Sequence, residues 1–410
     1  MTTIYYEQIP VARLTLRDAW RLDYDPAWET RAAAFPLSLT MPLRAGPAGA
    51  EVLLPWLANL LPETHLAEIG QRLKVSPQDI IGLLSHIGRD TAGALSIGAP
   101  RHPGLHLTPV ADEGSLERII DELPAKPFLV GEHGVSMSLA GVQDKLPIFL
   151  DEDGRIAIPI DGSPSTHILK PDTARLFGSV ENEAFCLKLA AACGLDAAEA
   201  EIGHAGKRRY LLVRRYDRFT DPKGEIRRLH QEDFCQLTGH FPAQKYERSA
   251  FGHGVTLRQM FDSLSRLVSP GERLKLADAV IFNVLICNAD SHAKNHSVLI
   301  GAGGTARFAP MYDLLCATVY EQVDQHLPQA IAGKASGADL RGKDWKAMAA
   351  DVGLSGAWLV ARVETLAKAM EAHCDEIAEE ITARNGDPSR VLERVVHEIR
   401  KRCRRILAQL

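Results

Sequence analysis

An α+β fold is expected for this chain, with strands gathered in its first part and helices in its last. Three observations predict it. Short apolar runs bounded by Gly, Pro and Asp, such as VARLTL, LPIFL and RIAIPI, lie before residue 240 and read as strands. From Thr256 onward, stretches such as LADAVIFNVLI and VLERVVHEIRKRCRRILAQL place apolar residues at helical spacing. Between helical stretches, one loop from Asn288 to His296 packs polar side chains at a density that a core does not need. With 410 residues the chain exceeds one typical core. The division expected is a β-rich module at 1–104, a second β-rich lobe at 105–240 and a helical lobe at 241–410.

Composition narrows the function classes. Hydrophobic residues make up 46% and charged residues 24%, with a net charge of -5, as in an ordinary soluble globular protein. There is no basic excess, so direct nucleic-acid binding is not expected. The first residues lack the charged and apolar regions of a secretion signal, and no run approaches the ~20 apolar residues of a membrane span. A cytoplasmic protein without membrane contact is the expectation. Seven cysteines form no C-x-x-C pair, and several sit in apolar stretches, which reads as reduced thiols. The sequence has no HExxH, no G-x-S-x-G and no Walker A motif.

Taken in order, VARLTL and PLSLTMPL read as strands and VLLPWLANLLPETHLAEIGQRLKV as a helical stretch. The Gly- and Pro-rich GRDTAGALSIGAPRHPG marks a boundary near residues 100–105. LERIIDELPAK reads as a short helix, and LPIFL and RIAIPI flank Asp-Glu-Asp-Gly as a hairpin. Before the hairpin, Ser136 to Lys145 is a run of mostly small residues, SMSLAGVQDK. Such a loop either brings backbone N–H groups up to phosphate oxygens or serves as a plain turn. THILKPD is a strand ending in Lys170, a residue that is an edge lysine or a phosphate contact. The next helix, VENEAFCLKLAAACGL, carries Glu181 and Glu183 in its first turn, as partners for that lysine or for the helix dipole. RRYLLVRRYDRF is a strand whose end, Arg215 to Arg218, is too charged for a simple turn. RRLHQEDFCQLTG then resembles an interlobe connection, where backbone groups at Glu232, Asp233 and Phe234 would read an adenine ring.

The polar loop suggests chemistry. Asp290 and Asn295 stand five apart, as D-x-x-x-x-N, and Asp313 follows in YDLL after a strand-like run. In protein kinases an Asp orients the attacking hydroxyl, an Asn five residues later holds magnesium, and a later Asp holds metal between the phosphates. One amide oxygen and one carboxylate suffice, because magnesium keeps several waters. A bilobal protein-kinase-like fold follows as the expectation.

The chain also resembles the HipA family, the kinase toxins of bacterial toxin–antitoxin pairs. The likeness rests on SLAGVQDK at 138–145, HILKP at 167–171, RYDR at 215–218, HQED at 230–233, NADSHAKN at 288–295 and YDL at 312–314. FPLSLTMPL, WLANLLPE and GRDTAGAL look like the coupling module of longer members. The resemblance implies a serine/threonine kinase using ATP and Mg2+, with Asp290 as catalytic base and Asn295 and Asp313 as metal ligands. It further implies Lys170, His292 and the loop Ala140, Gly141, Val142, Gln143, Asp144 and Lys145 as phosphate contacts, and self-phosphorylation at Ser138 in preference to Ser136. The partners implied are a HipB-like helix-turn-helix antitoxin, through which alone DNA is met, and a protein substrate such as an aminoacyl-tRNA synthetase. A small-molecule or lipid kinase with the same site is the alternative within enzymes. A catalytically silent partner of a transcription regulator is the alternative outside them, and the presence of Asp290, Asn295 and Asp313 argues against it.

Overall fold

The computed structural model describes residues 1–249, 252–265, 267–385 and 389–410. The chain forms two compact units. Met1–Pro171, Gly203–Pro242 and Val298–Ala306 make the first, and Asp172–Ile202, Ala243–Ser297 and Arg307–Leu410 the second.

The first unit is sheet-rich. Its N-terminal sheet sets Ala48–Gly49, Trp20–Tyr24, Ile9–Leu16, Thr2–Tyr6 and Leu95–Ile97 side by side. Alternation buries Ile4, Leu14 and Leu22, but Val11 and Ala12 are both buried although they are adjacent. A register shift explains this: Ile4 pairs with Ala12 and Tyr5 with Pro10, so Val11 is the extra residue of a bulge.

PLSLTMPL, expected as a strand, forms only an isolated bridge between Ser38 and Met41. Its donors are committed elsewhere. Leu37 N–H donates to the Tyr24 hydroxyl at 2.8 Å and Leu39 N–H to the Glu232 carboxyl at 2.8 Å, while Pro36 and Pro42 have no N–H. The helical stretch after it divides into Ala50–Ala58 and Leu66–Leu73, separated by Pro62 and a left-handed His65 at φ 63°.

A second antiparallel sheet carries Arg208–Arg214, His167–Pro171, Leu146–Leu150, Ile156–Pro159 and Leu107–Pro109 as successive neighbours. Leu146, Ile148, Leu169 and Leu211 fill its core. The hairpin at 151–154 matches its sequence reading, with Asp151 Oδ1 accepting from the N–H groups of Asp153 and Arg155 at 3.0 and 2.8 Å.

The RYDR segment is buried and ionic. Arg215 donates through Nε and Nη2 to both oxygens of Asp217, at 2.9 and 2.8 Å. Asp90 accepts from Arg218 at 2.8 Å and from Ser165 N–H and hydroxyl at 3.1 and 2.6 Å, with Arg228 at 3.4 Å. Burial pushes both carboxyls up, yet the guanidinium groups outweigh it and hold Asp90 and Asp217 below the usual carboxylate range. The main chain of Asp90 works as well: its N–H donates to Ser136 and its carbonyl accepts from Ser138, at 3.1 and 3.0 Å.

The second unit is mostly helical. Ser179–Ala192, Leu257–Ser265, Pro270–Leu285, Gly342–Asp351, Gly356–Asn385 and Arg390–Leu407 are its long elements. The last is amphipathic, burying Val391, Leu392, Val395, Ile399, Cys403 and Ile406. Ser179–Ala192 is buried on nearly every side, including Glu181, Asn182 and Glu183, so these acids do more than face the helix dipole in water. The expectation of a largely helical chain after Thr256, outside the loop-strand unit that ends at Asp313, does not hold at 314–341, where Pro328 and Gly333 leave only single turns such as Ala317–Val319.

Replacing Asp90 with Ala removes one of the two carboxylates that face the buried guanidinium groups. Destabilisation of roughly 3–5 kcal/mol is expected, read as a lowered urea midpoint. An unchanged midpoint in Asp90→Ala contradicts this account of the cluster.

Candidate active site

The polar loop grows from the helix Pro270–Leu285, whose last turns are buried through Ile281, Phe282 and Leu285. Cys287, at φ 60°, ends the helix and turns the chain. Amides then set the loop. Asn288 Nδ2 donates to Asn283 Oδ1 at 2.8 Å and to the Asp313 carbonyl at 3.3 Å, while Asn288 Oδ1 accepts from Asp290 N–H at 3.0 Å. Asn295 Nδ2 donates to the Asp290 carbonyl at 2.8 Å, and its N–H to the His292 carbonyl at 2.8 Å. The result is a pinned backbone with an exposed carboxylate at Asp290, whose side chain keeps 53% of its accessible surface.

The same loop is tied to the Asp313 segment. The Tyr312 hydroxyl donates to the Lys294 carbonyl at 2.7 Å and lies 2.6 Å from Ser297 Oγ. Asp313 is held at φ 52°, uncommon for a residue with a side chain. Beyond it Asn182 grips Cys316, donating to its carbonyl at 3.1 Å and accepting from its N–H at 2.9 Å. Asn182 and Asn283 escaped the sequence reading, and Tyr312 entered it only as part of YDL. An asparagine in a buried helix has no local signature, because its partners lie far along the chain.

The donor set suits magnesium. Because the Asn295 NH2 group is turned to the Asp290 carbonyl, its amide oxygen is the atom directed away from it, and Asp313 adds a carboxylate. His292 is buried, and desolvation, with Lys245 and Lys294 nearby, drives its pKa well below the ordinary value. Its Nδ1 has no hydrogen-bond partner among the described residues. It is therefore a neutral imidazole, able to offer a hydrogen bond but no charge. A further residue missed in the sequence is Tyr246, whose hydroxyl donates to Asp290 Oδ1.

In the first unit, the loop 138–145 has its carbonyls engaged. Gly141 and Val142 accept from Glu63 N–H and the Thr64 hydroxyl, both at 3.2 Å, and Lys145 Nζ donates to the Ala140 carbonyl at 2.7 Å. Asp144 faces His65 at 3.2 Å, and Gln143 reaches the Pro171 carbonyl at 3.5 Å. The N–H groups of Ala140, Gly141, Val142, Gln143 and Asp144 find no acceptor among the described residues. Such a row of unpaired donors fits phosphate oxygens. Gly141 has to be glycine: its φ is 118°, and a Cβ there would lie 2.4 Å from Lys145 Nζ.

Lys170 is buried in the strand His167–Pro171, opposite Leu211. Ser138 is wholly buried and donates to the Leu60 carbonyl at 2.7 Å, and Ser136 donates to the His86 carbonyl at 2.6 Å. Asp233 caps the turn Phe234–Leu237 through Gln236 N–H at 2.9 Å, with Gln236 reciprocating. Glu232, by contrast, points into the N-terminal module. Its Oε1 accepts from Leu39 N–H, its Oε2 is unpartnered among the described residues, and burial raises its pKa to about 8. Only its backbone is left for an adenine contact. His230 beside it stacks on Phe35 at 5.0 Å and donates from Nε2 to the Leu37 carbonyl at 2.7 Å, with burial lowering its pKa to about 4.

Comparison with known proteins places both regions. Residues 2–98 match the HipA N-terminal domain and residues 137–384 the HipA-like C-terminal domain. The serine/threonine-protein kinase toxin HipA of Shewanella oneidensis is 30% identical over 407 residues, covering 95% of this chain and 91% of that one. The protein Y4mE of Sinorhizobium fredii is 40% identical over 342 residues, covering 81% and 80%. Among solved structures, the Shewanella oneidensis HipA, HipB and operator DNA complex aligns with a TM-score of 0.84 at 27% identity, covering 100% of this chain and 98% of that one.

The proton on Glu232 has a measurable consequence. An unfolded Glu ionises near ~4.3, whereas the folded one holds its proton to about 8. Its contribution to stability is fully present below the unfolded pKa and is lost as pH rises through that window. Glu232→Gln keeps the acceptor for Leu39 without ionising, so melting temperatures should increasingly favour the variant between pH 5 and pH 8. A difference independent of pH contradicts the assignment.

Proposed function

Since the chain belongs to the HipA family, we propose that it is an ATP- and magnesium-dependent serine/threonine protein kinase, the toxin of a HipA/HipB-like pair. One observation carries the reading: an exposed Asp290 carboxylate on a loop whose backbone is pinned from both sides by Asn288 and Asn295. Catalysis of this kind depends on position and charge rather than on a covalent intermediate. Bound ATP with magnesium supplies the transferable phosphoryl group.

This chain's residues do the rest. Asp290 orients the acceptor hydroxyl and takes its proton. Asn295 and Asp313 would hold the ion, and the unpaired N–H groups of 140–144 together with Lys170 hold phosphate oxygens. Backbone groups at Glu232, Asp233 and Phe234 meet the adenine. His292 adds an uncharged hydrogen bond. The partner is a small HipB-like antitoxin, as in the relative solved with HipB and operator DNA. Absence of any co-purifying small DNA-binding protein from the native host argues against that partner. An aminoacyl-tRNA synthetase is the target class suggested by the family resemblance.

Ser138 is the self-modification site in this reading. A phosphate brings about -1.5 to -2 charges, and Ser138 is wholly buried with its hydroxyl on the Leu60 carbonyl, which leaves no room for the group. Modification therefore requires the loop to leave, and the modified loop cannot return.

Labelled ATP tests both points. Wild type is expected to transfer phosphate, Asp290→Ala to lose transfer with ATP binding kept, and Asn295→Ala and Asp313→Ala to lose it comparably. Phosphate should map to Ser138 and weaken ATP binding. Equal transfer by Asp290→Ala rules out the kinase reading, and phosphate found only outside 136–138 rules out the switch.

A further inference from the structure

Tyr246 comes to the base on a rigid mount. The Lys245 carbonyl accepts from Ala293 N–H and Gln329 Nε2, both at 3.1 Å. Glu247 N–H donates to the Pro328 carbonyl at 2.9 Å, and the Glu247 carboxylate accepts from Ala330 N–H at 2.6 Å. Between them the Tyr246 ring stands edge-on to His292, with centroids 5.1 Å apart and planes at 88°, and Lys245 Nζ lies 5.5 Å from its centre. The backbone around the ring is thus fixed before any substrate arrives.

The carboxylate it meets turns about a soft torsion. Terminal rotation of an aspartate is broad, and the Asp290 side chain is half exposed. His292 Nε2 is 4.0 Å from Oδ1, too far for a hydrogen bond. A phenol donating to Oδ1 from a packed ring narrows that rotation and leaves the other oxygen's direction defined.

We propose that Tyr246 is a positioning residue for phosphoryl transfer: its hydroxyl holds Asp290 Oδ1 so that Oδ2 is presented to the acceptor serine or threonine hydroxyl. The inference rests on the kinase reading and adds to it a group that touches neither nucleotide nor metal. The opposite role is a phenol occupying the acceptor's place, and it has the opposite sign in experiment.

The test is Tyr246→Phe in the full chain, which keeps the ring and removes the donor. Expected are a kcat for phosphoryl transfer lowered roughly ten- to hundredfold, with ATP affinity, acceptor KM and melting temperature close to wild type. In nucleotide-free protein the 13C carboxyl resonance of Asp290, assigned by its loss in Asp290→Asn, should move. Fluorotyrosine incorporated at position 246, which restores a hydroxyl donor, should restore kcat. Transfer by Tyr246→Phe equal to or faster than wild type overturns the proposal, as does a loss of ATP affinity and melting temperature that parallels the loss of rate. Wild-type protein that transfers no phosphate overturns the kinase reading instead, and this role with it.

Discussion

The sheet-rich unit depends on one buried carboxylate. Asp90 compensates guanidinium groups from Arg215, Arg218 and Arg228 with its side chain, and with its main chain it fixes Ser136 and Ser138. Charges this deep are tolerated when their lone pairs and protons are used, and within this cluster all but Arg228 Nε find partners among the described residues. The surrounding structure supplies them: Ser165 donates to Asp90 and accepts from Arg215, and the carbonyls of Thr91 and Gly93 take further guanidinium protons. Geometry of this kind has few alternatives. It sets the register of the segment 88–95 against the loop that follows Ser136, and so defines where the unpaired N–H groups of that loop stand.

The helical unit solves a similar problem with neutral groups. Asn182, Asn283, Asn288 and Asn295 each use an amide to satisfy main-chain or amide partners around the loop. Amides fix a backbone without adding charge. With His292 kept neutral by burial, the amides hold the loop without an ion pair of their own, which in the proposed kinase reading leaves Asp290 and Asp313 to meet the acceptor hydroxyl and the cation. A loop built from ion pairs would have competed with that task.

Elements and motifs were legible where the determinants are local. The hairpin at 151–154, the strand ending at Lys170 and the five-residue spacing from Asp290 to Asn295 all depend on neighbours within a few positions. PLSLTMPL was misread because its donors are taken by Tyr24 and by Glu232, the latter 193 residues away. The break at Pro62 was written in the sequence and was overridden by apolar periodicity on either side. Asp90 and Tyr246 look like unremarkable surface residues until partners 128 and 44 residues distant are brought to them. Arg215 to Arg218 carried a signal, an excess of charge, without its meaning.

The ion cluster has an electrostatic remainder. Three guanidinium groups face two carboxylates, Asp90 and Asp217, and Arg218, although depressed to about 10, keeps its proton at neutral pH. Buried charge is weakly screened by salt, unlike charge in water, where the Debye length is about 8 Å under physiological conditions. The main chain of Ser136 to Ser138 therefore lies against a source of positive potential that neither ordinary pH nor ionic strength switches off. Anions approaching this loop meet an attractive field from behind the backbone as well as from its N–H dipoles. A chain of net charge -5 thus sets three guanidinium groups against two carboxylates behind this loop.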